Sequence, residues 1–147
     1  MKKVAGRFEA ANGIALSTDE RLLYVSTFPD GITVVDLKSG EAKPIVRPAW
    51  LCLVAIDGLY FVSSKGGDTL IAIQNGFMNP RVVRLTLGRD LRSIFGVQIL
   101  ERRNPLFDGV TTGVVVGREF FYMANIQDEK KSGFGAITVL KIDLGRE

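Results

Sequence analysis

The sequence NGIALSTDERLLYVS at Asn12–Ser26 contains two short apolar runs separated by a polar turn. Ile, Leu, Val and Tyr predominate in these runs, which is typical of β-strands. The opening pattern of a polar residue, a glycine and an apolar pair recurs at Asp57–Tyr60 and at Thr112–Val115. This recurrence predicts an all-β chain built from three related units.

Further strands are predicted after each opening strand. The second strands are predicted at Leu22–Ser26, Thr69–Ile73 and Glu119–Ala124, the third at Ile32–Leu37, Arg81–Leu87 and Ile137–Leu144, and the fourth at Lys43–Arg47 and Phe95–Leu100. Four-stranded antiparallel units at this spacing are typical of β-propeller blades. We therefore predict a β-propeller domain with three four-stranded blades per chain, at about residues 9–47, 50–101 and 108–147, the last of which lacks its fourth strand.

Three blades are too few for a closed ring, because propellers have ~4–8 blades. An open ring leaves exposed sheet edges, which favour pairing with another chain. We predict that residues 1–147 form half of a six-bladed ring and that a homodimer closes it. A predicted strand at residues 3–8 would complement the third blade of the partner. The alternative is that the chain is a fragment of a larger propeller.

The composition excludes several classes of function. The chain contains no histidine, which removes Ser-His and Cys-His catalysis and histidine-ligated metals. The single cysteine, Cys52, lies in an apolar run and is predicted to be a core residue. The net charge of +3 comes from scattered residues, so nucleic acid binding is not indicated. Neither a signal peptide nor a membrane span is recognised, which predicts a cytoplasmic protein.

The motif at Asn12–Ser26 resembles the "PNG-(I/L)-A-(L/F)-S-PDG-x-x-LYV" blade of the senescence-marker-protein/gluconolactonase family of six-bladed propellers. Ala11 replaces the usual proline of that motif. The stretches Ile56–Tyr60, Leu70–Gly76 and Thr111–Gly117 are similar to the last two blades of a bacterial branch of this family. The resemblance therefore covers nearly the whole chain but only the C-terminal half of a family member.

The resemblance implies a divalent cation, often calcium, at the mouth of the central channel. The family's Asn and Asp ligands correspond to Asn12 and Asp57, whose oxygen atoms suit a hard cation. The implied function is a metal-dependent hydrolase of a lactone or small ester, in which Asp57 also handles a water proton. The family's remaining ligands belong to the half that this chain lacks.

Three further residues are predicted to bind a small-molecule substrate. Thr112, Asn75 and Asn125 lie in loops that share one face of a propeller with Asn12 and Asp57. The alternative is that these polar residues only form turns, because Asn-Gly and Asp-Gly are strong turn pairs. Two interpretations therefore compete with the hydrolase. The chain is either a non-catalytic binding or scaffold propeller, or a remnant without independent function.

Overall fold

The structure, a computed structural model, describes residues 3, 4, 6, 8–76, 79–125 and 136–145. Within these residues the chain forms β-strands and no helix, and so contains no helix long and apolar enough to cross a membrane. The strands are β1 (Ile14–Leu16), β2 (Leu22–Thr27), β3 (Gly31–Asp36), β4 (Ala42–Pro44), β5 (Ile56–Val62), β6 (Thr69–Gln74), β7 (Arg81–Leu87), β8 (Ile94–Arg102), β9 (Gly113–Val116), β10 (Glu119–Met123) and β11 (Val139–Asp143).

The strands form three antiparallel sheets, each following the order of the chain. Sheet 1 contains β1 to β4, sheet 2 contains β5 to β8 and sheet 3 contains β9 to β11. The predicted all-β class is confirmed, and sheets 1 and 2 have the predicted four strands. Among the described residues sheet 3 has three. Residues 5 and 7 of the predicted strand 3–8 lie outside the described residues, and residues 3, 4, 6 and 8 are in no strand.

Sheet 2 lies between the other two sheets and contributes to two apolar clusters. Leu70 belongs to the cluster shared with sheet 1, and its neighbour Ile71 belongs to the cluster shared with sheet 3. Both side chains are fully buried, because successive residues of a strand point to opposite faces of the sheet. Tyr24 of sheet 1 packs in the first cluster and donates a hydrogen bond of 2.7 Å to the Leu91 carbonyl oxygen.

The first strands of the three sheets lie in a row, in which β1 contacts β5 and β5 contacts β9. Glycines permit this approach. A Cβ atom at Gly13 would lie 2.7 Å from the carbonyl oxygen of Asp57, and one at Gly58 would lie 2.9 Å from that of Thr111. The beginnings of β1, β5 and β9 are therefore neighbours, which brings their polar residues together.

Cys52 is exposed, so the prediction that it is a core residue is wrong. Its neighbours Leu51 and Leu53 are buried in the cluster between sheets 1 and 2. The segment alternates between buried and exposed side chains as an extended chain does. The apolar run therefore contains two buried residues, Leu51 and Leu53, on either side of the exposed Cys52.

Replacing Gly13 with alanine is expected to lower the free energy of unfolding by about 1–3 kcal/mol, because the new methyl group would overlap Asp57 and Leu59. Gly66 provides the matched control, since its nearest neighbour is a Ser64 hydroxyl oxygen at 3.6 Å. Gly66→Ala should leave stability unchanged or raise it by up to about 1 kcal/mol. Urea unfolding followed by circular dichroism measures both, and equal stabilities would contradict this account of the sheet contact.

Candidate functional site

Asp57, in β5, lies between the polar side chains of two loops. The Nδ2 group of Asn12, just before β1, donates a hydrogen bond to Oδ1 of Asp57. The Nδ2 group of Asn75, just after β6, donates to Oδ2. The structure thus brings together three of the residues predicted from the sequence, and one carboxylate links sheet 1 to the β6–β7 loop of sheet 2.

A break in the strand pairing positions the Asp57 side chain. Ile56 pairs with Gln74 and Gly58 pairs with Ile73, so Asp57 has no partner of its own on β6. Such a bulge bends the strand and redirects a side chain. The backbone nitrogen of Asn75 donates to the Ala55 carbonyl oxygen at 3.2 Å, which holds the loop beside this bulge.

Tyr60 is a site residue that the sequence analysis missed. Its hydroxyl accepts a hydrogen bond of 2.6 Å from the backbone nitrogen of Gly113 and lies 3.0 Å from Oγ1 of Thr112. These bonds connect sheet 2 to the start of sheet 3. A cavity of about 280 Å³ is lined here by Asn12, Gly13, Ile14, Asp57, Gly58, Leu59, Tyr60, Thr111 and Thr112. The predicted residue Thr112 therefore lies at the same cavity as Asn12 and Asp57.

The sequence analysis aligned Thr112 with Asn12 and Asp57, but in the structure the equivalent residue of sheet 3 lies one position earlier, at Thr111. The carbonyl oxygen of Thr111 lies against Gly58 as that of Asp57 lies against Gly13. Val115 packs in the cluster with sheet 2, whereas Val114 is exposed. Thr111 is consequently the counterpart of Asn12 and Asp57. The sequence alone pointed to Thr112 because Gly113 follows it, and both threonines line the cavity.

A second cavity of about 310 Å³ lies beside the first. It is lined by Ala10, Asn12, Thr27, Phe28, Ala55, Ile56, Asp57, Asn75 and Gly76. Asn12 and Asp57 line both cavities. Among the described residues that line either one, Asp57 alone carries a carboxylate, so it is the strongest base and the strongest cation ligand at this site.

The Asn125 amide is hydrogen-bonded to the residues that lead into β11, and its substrate-binding role stays a prediction. Its Nδ2 group donates to the Ala136 carbonyl oxygen at 3.1 Å, and its Oδ1 atom accepts from the Thr138 backbone nitrogen at 2.7 Å. It does not belong to the described residues that line the two cavities. Asn125 immediately precedes segment 126–135, which lies outside the described residues, and both of its hydrogen bonds are made to residues that follow that segment.

The side chains around Asp57 fit a hard divalent cation in type. Calcium takes 6–8 oxygen ligands from carboxylates, amide carbonyls and water. Asp57 supplies a carboxylate, and a half-turn of the Asn12 or Asn75 amide would replace its N–H donor with a carbonyl oxygen. One chain offers few ligands, however. In the described part of the chain, no three His, Cys, Asp or Glu side chains come close enough together to hold a metal.

No family model matches the chain, and no curated protein matches it. Solved structures with a similar fold include the following three. The PQQ-bound aldose sugar dehydrogenase of Streptomyces coelicolor has a TM-score of 0.64 at 17% identity, over 84% of this chain and 40% of its own. The major Malassezia sympodialis allergen Mala s 1 has a TM-score of 0.63 at 12% identity, over 97% of this chain and 43% of its own. A luciferin-regenerating enzyme has a TM-score of 0.56 at 15% identity, over 92% of this chain and 45% of its own.

These similarities show a β-propeller-like fold. The chain spans less than half the length of each of the three structures.

Replacing Tyr60 with phenylalanine is expected to cost about 0.5–1.5 kcal/mol of unfolding free energy, because the half-buried Gly113 N–H loses its acceptor. Thr112→Val is the matched variant. It removes the Tyr60–Thr112 hydrogen bond but leaves the bond to Gly113 intact, so it should cost less. Chemical unfolding of both proteins measures the difference, and a larger loss in Thr112→Val would contradict the assigned role of Tyr60.

Proposed function

We propose that this chain is a divalent-metal-dependent hydrolase of a lactone or small ester, with its site at Asp57. The observation that carries the proposal is the convergence of Asn12, Asp57 and Asn75, two amides on one carboxylate, at the edge of two adjoining cavities. A carboxylate flanked by amides suits a hard cation.

Each residue has a distinct task in this proposal. When bound, the cation would polarise the carbonyl group of the ester or lactone. Asp57 would hold the cation and, as the general base, would accept a proton from the attacking water; that proton would pass to the departing alkoxide as the ester C–O bond breaks. Without the cation, Asn12 and Asn75 hold the carboxylate through their N–H groups; after a half-turn of its amide, either residue would offer a carbonyl oxygen to the cation. Thr112, held by the Tyr60 hydroxyl, presents its own hydroxyl to the substrate from the wall of the first cavity.

We further propose that a second copy of the chain completes the ring. Leu59 in sheet 2 holds the position that Ile14 holds in sheet 1, two residues after Asp57 and Asn12 respectively. Leu59 is covered by sheet 1 and is 2% exposed, whereas Ile14 is 60% exposed. At the other end, Val114 on the outer face of sheet 3 is 53% exposed.

These two apolar faces are the unpaired halves of the interface already repeated twice within the chain. A head-to-tail contact between them continues the row formed by β1, β5 and β9, and two such contacts form a closed pair. The closed ring would present a second Asp57 and second copies of its neighbours to the same channel. The additional oxygens would supply the ligands that a single chain lacks.

A non-catalytic binding propeller is the second candidate. Two observations favour it. Among the described residues, no second acidic side chain lines the cavities beside Asp57. The amides of Asn12 and Asn75 already provide a hydrogen bond to each carboxylate oxygen of Asp57. In this case the cavities would accept a small molecule without converting it.

Asp57→Asn is expected to weaken calcium binding by about 100-fold or more, because it removes the carboxylate ligand from the site. Asp30→Asn is the matched control, since Asp30 is exposed and lies outside both cavities. Isothermal titration calorimetry measures binding, and hydrolysis of a panel of lactones and esters measures activity.

Equal calcium binding in the Asp57→Asn and wild-type proteins would contradict the proposed site. Asp57-dependent calcium binding with no turnover of any lactone or ester would instead support the binding propeller. Metal-dependent turnover that is lost in Asp57→Asn and retained in Asp30→Asn is the result that the hydrolase proposal predicts.

Ile14→Lys is expected to convert the dimer to a monomer, because it introduces a charge into the apolar face of sheet 1. Phe95→Lys is the matched control. Phe95 is also exposed, at 68%, but it lies on β8 of the middle sheet, away from both end faces. Size-exclusion chromatography with light scattering measures the mass, and a wild-type monomer or a dimer that resists Ile14→Lys would overturn ring closure by a second copy.

A further inference from the structure

A third cavity, which shares only Gly76 with the two cavities at Asp57, is lined by several basic residues. It measures about 450 Å³ and is lined by Cys52, Val54, Gln74, Gly76, Asn79, Arg81, Ile99, Arg102 and Arg103. Three of these are arginines, and no acidic residue is among the described residues that line the cavity. We call it the arginine cavity. Its walls combine positive charge with the apolar side chains of Val54 and Ile99.

A register shift on β8 creates the charge of this cavity. Val83 pairs with Ile99, Val82 with Glu101 and Arg81 with Arg102, so the pairing skips Leu100. Without this bulge, Glu101 would stand opposite Arg81 and could form a cross-strand ion pair. The bulge instead places two like charges opposite each other, which is unfavourable in an antiparallel pair. Bulges of this kind redirect side chains beside functional sites.

The side chain of Glu101 lies on the opposite face of sheet 2 from that of Arg102, because successive residues of a strand alternate between the two faces. Glu101 pairs with Val82, whose side chain packs in the cluster shared with sheet 3. Burial, with the Glu101 charge as a smaller cause, raises the pKa of Tyr122 in that cluster to about 12. The Glu101 carboxylate accepts hydrogen bonds from the Arg102 backbone nitrogen at 3.1 Å and from Nδ2 of Asn104 at 3.4 Å. The acid therefore does not neutralise the arginine cavity.

Arg81 is held in position by the buried side chain of Gln74 and by one backbone carbonyl oxygen. Its Nε group donates to Oε1 of Gln74 at 2.8 Å and its Nη2 group donates to the Cys52 carbonyl oxygen at 3.4 Å. Gln74 is itself buried and donates to the Val54 carbonyl oxygen at 2.8 Å. Only two of the five N–H groups of Arg81 are used in this way, and the others have no partner among the described residues.

Arg103 follows directly in a left-handed backbone conformation, with φ of +53°. Residues other than glycine rarely adopt this conformation, although Ala10, Glu20, Ala55 and Leu91 of this chain also do so. The bulge, the like-charge pair and this backbone conformation occur within four residues, Leu100–Arg103, at the end of β8. Together they concentrate positive charge where ordinary strand pairing would have neutralised it.

We propose that the arginine cavity binds the oxyanion of a small molecule, a carboxylate or a phosphate, between the guanidinium groups of Arg81 and Arg102. A bound anion offsets the repulsion between the two arginines and uses the free N–H groups of Arg81 in charge-assisted hydrogen bonds. The apolar wall of Val54 and Ile99 accommodates the carbon skeleton of the ligand. This inference does not depend on metal binding or hydrolysis at Asp57.

The test is calorimetric titration of the full chain with inorganic phosphate and, separately, with succinate, at constant ionic strength. Arg102→Gln and Arg81→Gln are expected to weaken binding by about tenfold or more, because each removes charge-assisted hydrogen bonds. Arg21→Gln is the matched control, which makes the same charge change at an exposed arginine outside the cavity. Tighter binding of one anion identifies whether the ligand carries a phosphate or a carboxylate.

Thermal unfolding in a buffer free of both anions gives a second readout. Arg102→Gln is expected to raise Tm by about 1–4 °C, because it removes the repulsion across β7 and β8. Arg21→Gln should not raise it. Absence of saturable binding of either anion, equal binding in the wild type and Arg102→Gln, or a lower Tm in Arg102→Gln would overturn the proposal.

Discussion

The burial of both faces of sheet 2 is the constraint on which the rest of the structure depends. Adjacent residues of β6, Leu70 and Ile71, point in opposite directions and are both fully buried, one against sheet 1 and the other against sheet 3. Sheets 1 and 3 each have one face covered in this way. The burial of apolar surface therefore fixes the order of the three sheets and sets the separation of their first strands.

The polar features of the molecule arise where the strand pairing of sheet 2 is interrupted. The irregularity between Ile56 and Gly58 frees Asp57 to bind the amides of two loops, and the irregularity between Val82 and Val83 places Arg102 opposite Arg81. Regular strand pairing satisfies backbone groups and alternates side chains strictly. Each irregularity breaks that alternation and presents a charged side chain to a cavity instead of to its usual neighbour. The middle sheet, buried on both faces, thus carries both a carboxylate site and an arginine cavity.

The sequence predicted the strands well because their apolar residues are determined locally. The third strand of sheet 2, Arg81–Leu87, was predicted with its observed bounds. The loops of Asn12, Asp57 and Asn75 were expected at one face of a propeller, and the structure brings these three side chains together. Thr111 was missed because the repeat in sheet 3 is shifted by one residue relative to its glycine. Tyr60 and the arginine cavity were missed because they depend on contacts between sheets and on a bulge, neither of which leaves a periodic pattern in the sequence.

The most direct test of the account is to locate a bound cation by NMR, using Mn²⁺ as a paramagnetic substitute for calcium at an oxygen-rich site. The account predicts that substoichiometric Mn²⁺ first broadens the side-chain amide signals of Asn12 and Asn75 and the backbone signals of Asp57 and Thr111. Excess calcium should restore those signals. Broadening centred on another group of acidic residues, or none at these four residues, would contradict the assignment of this site to a metal.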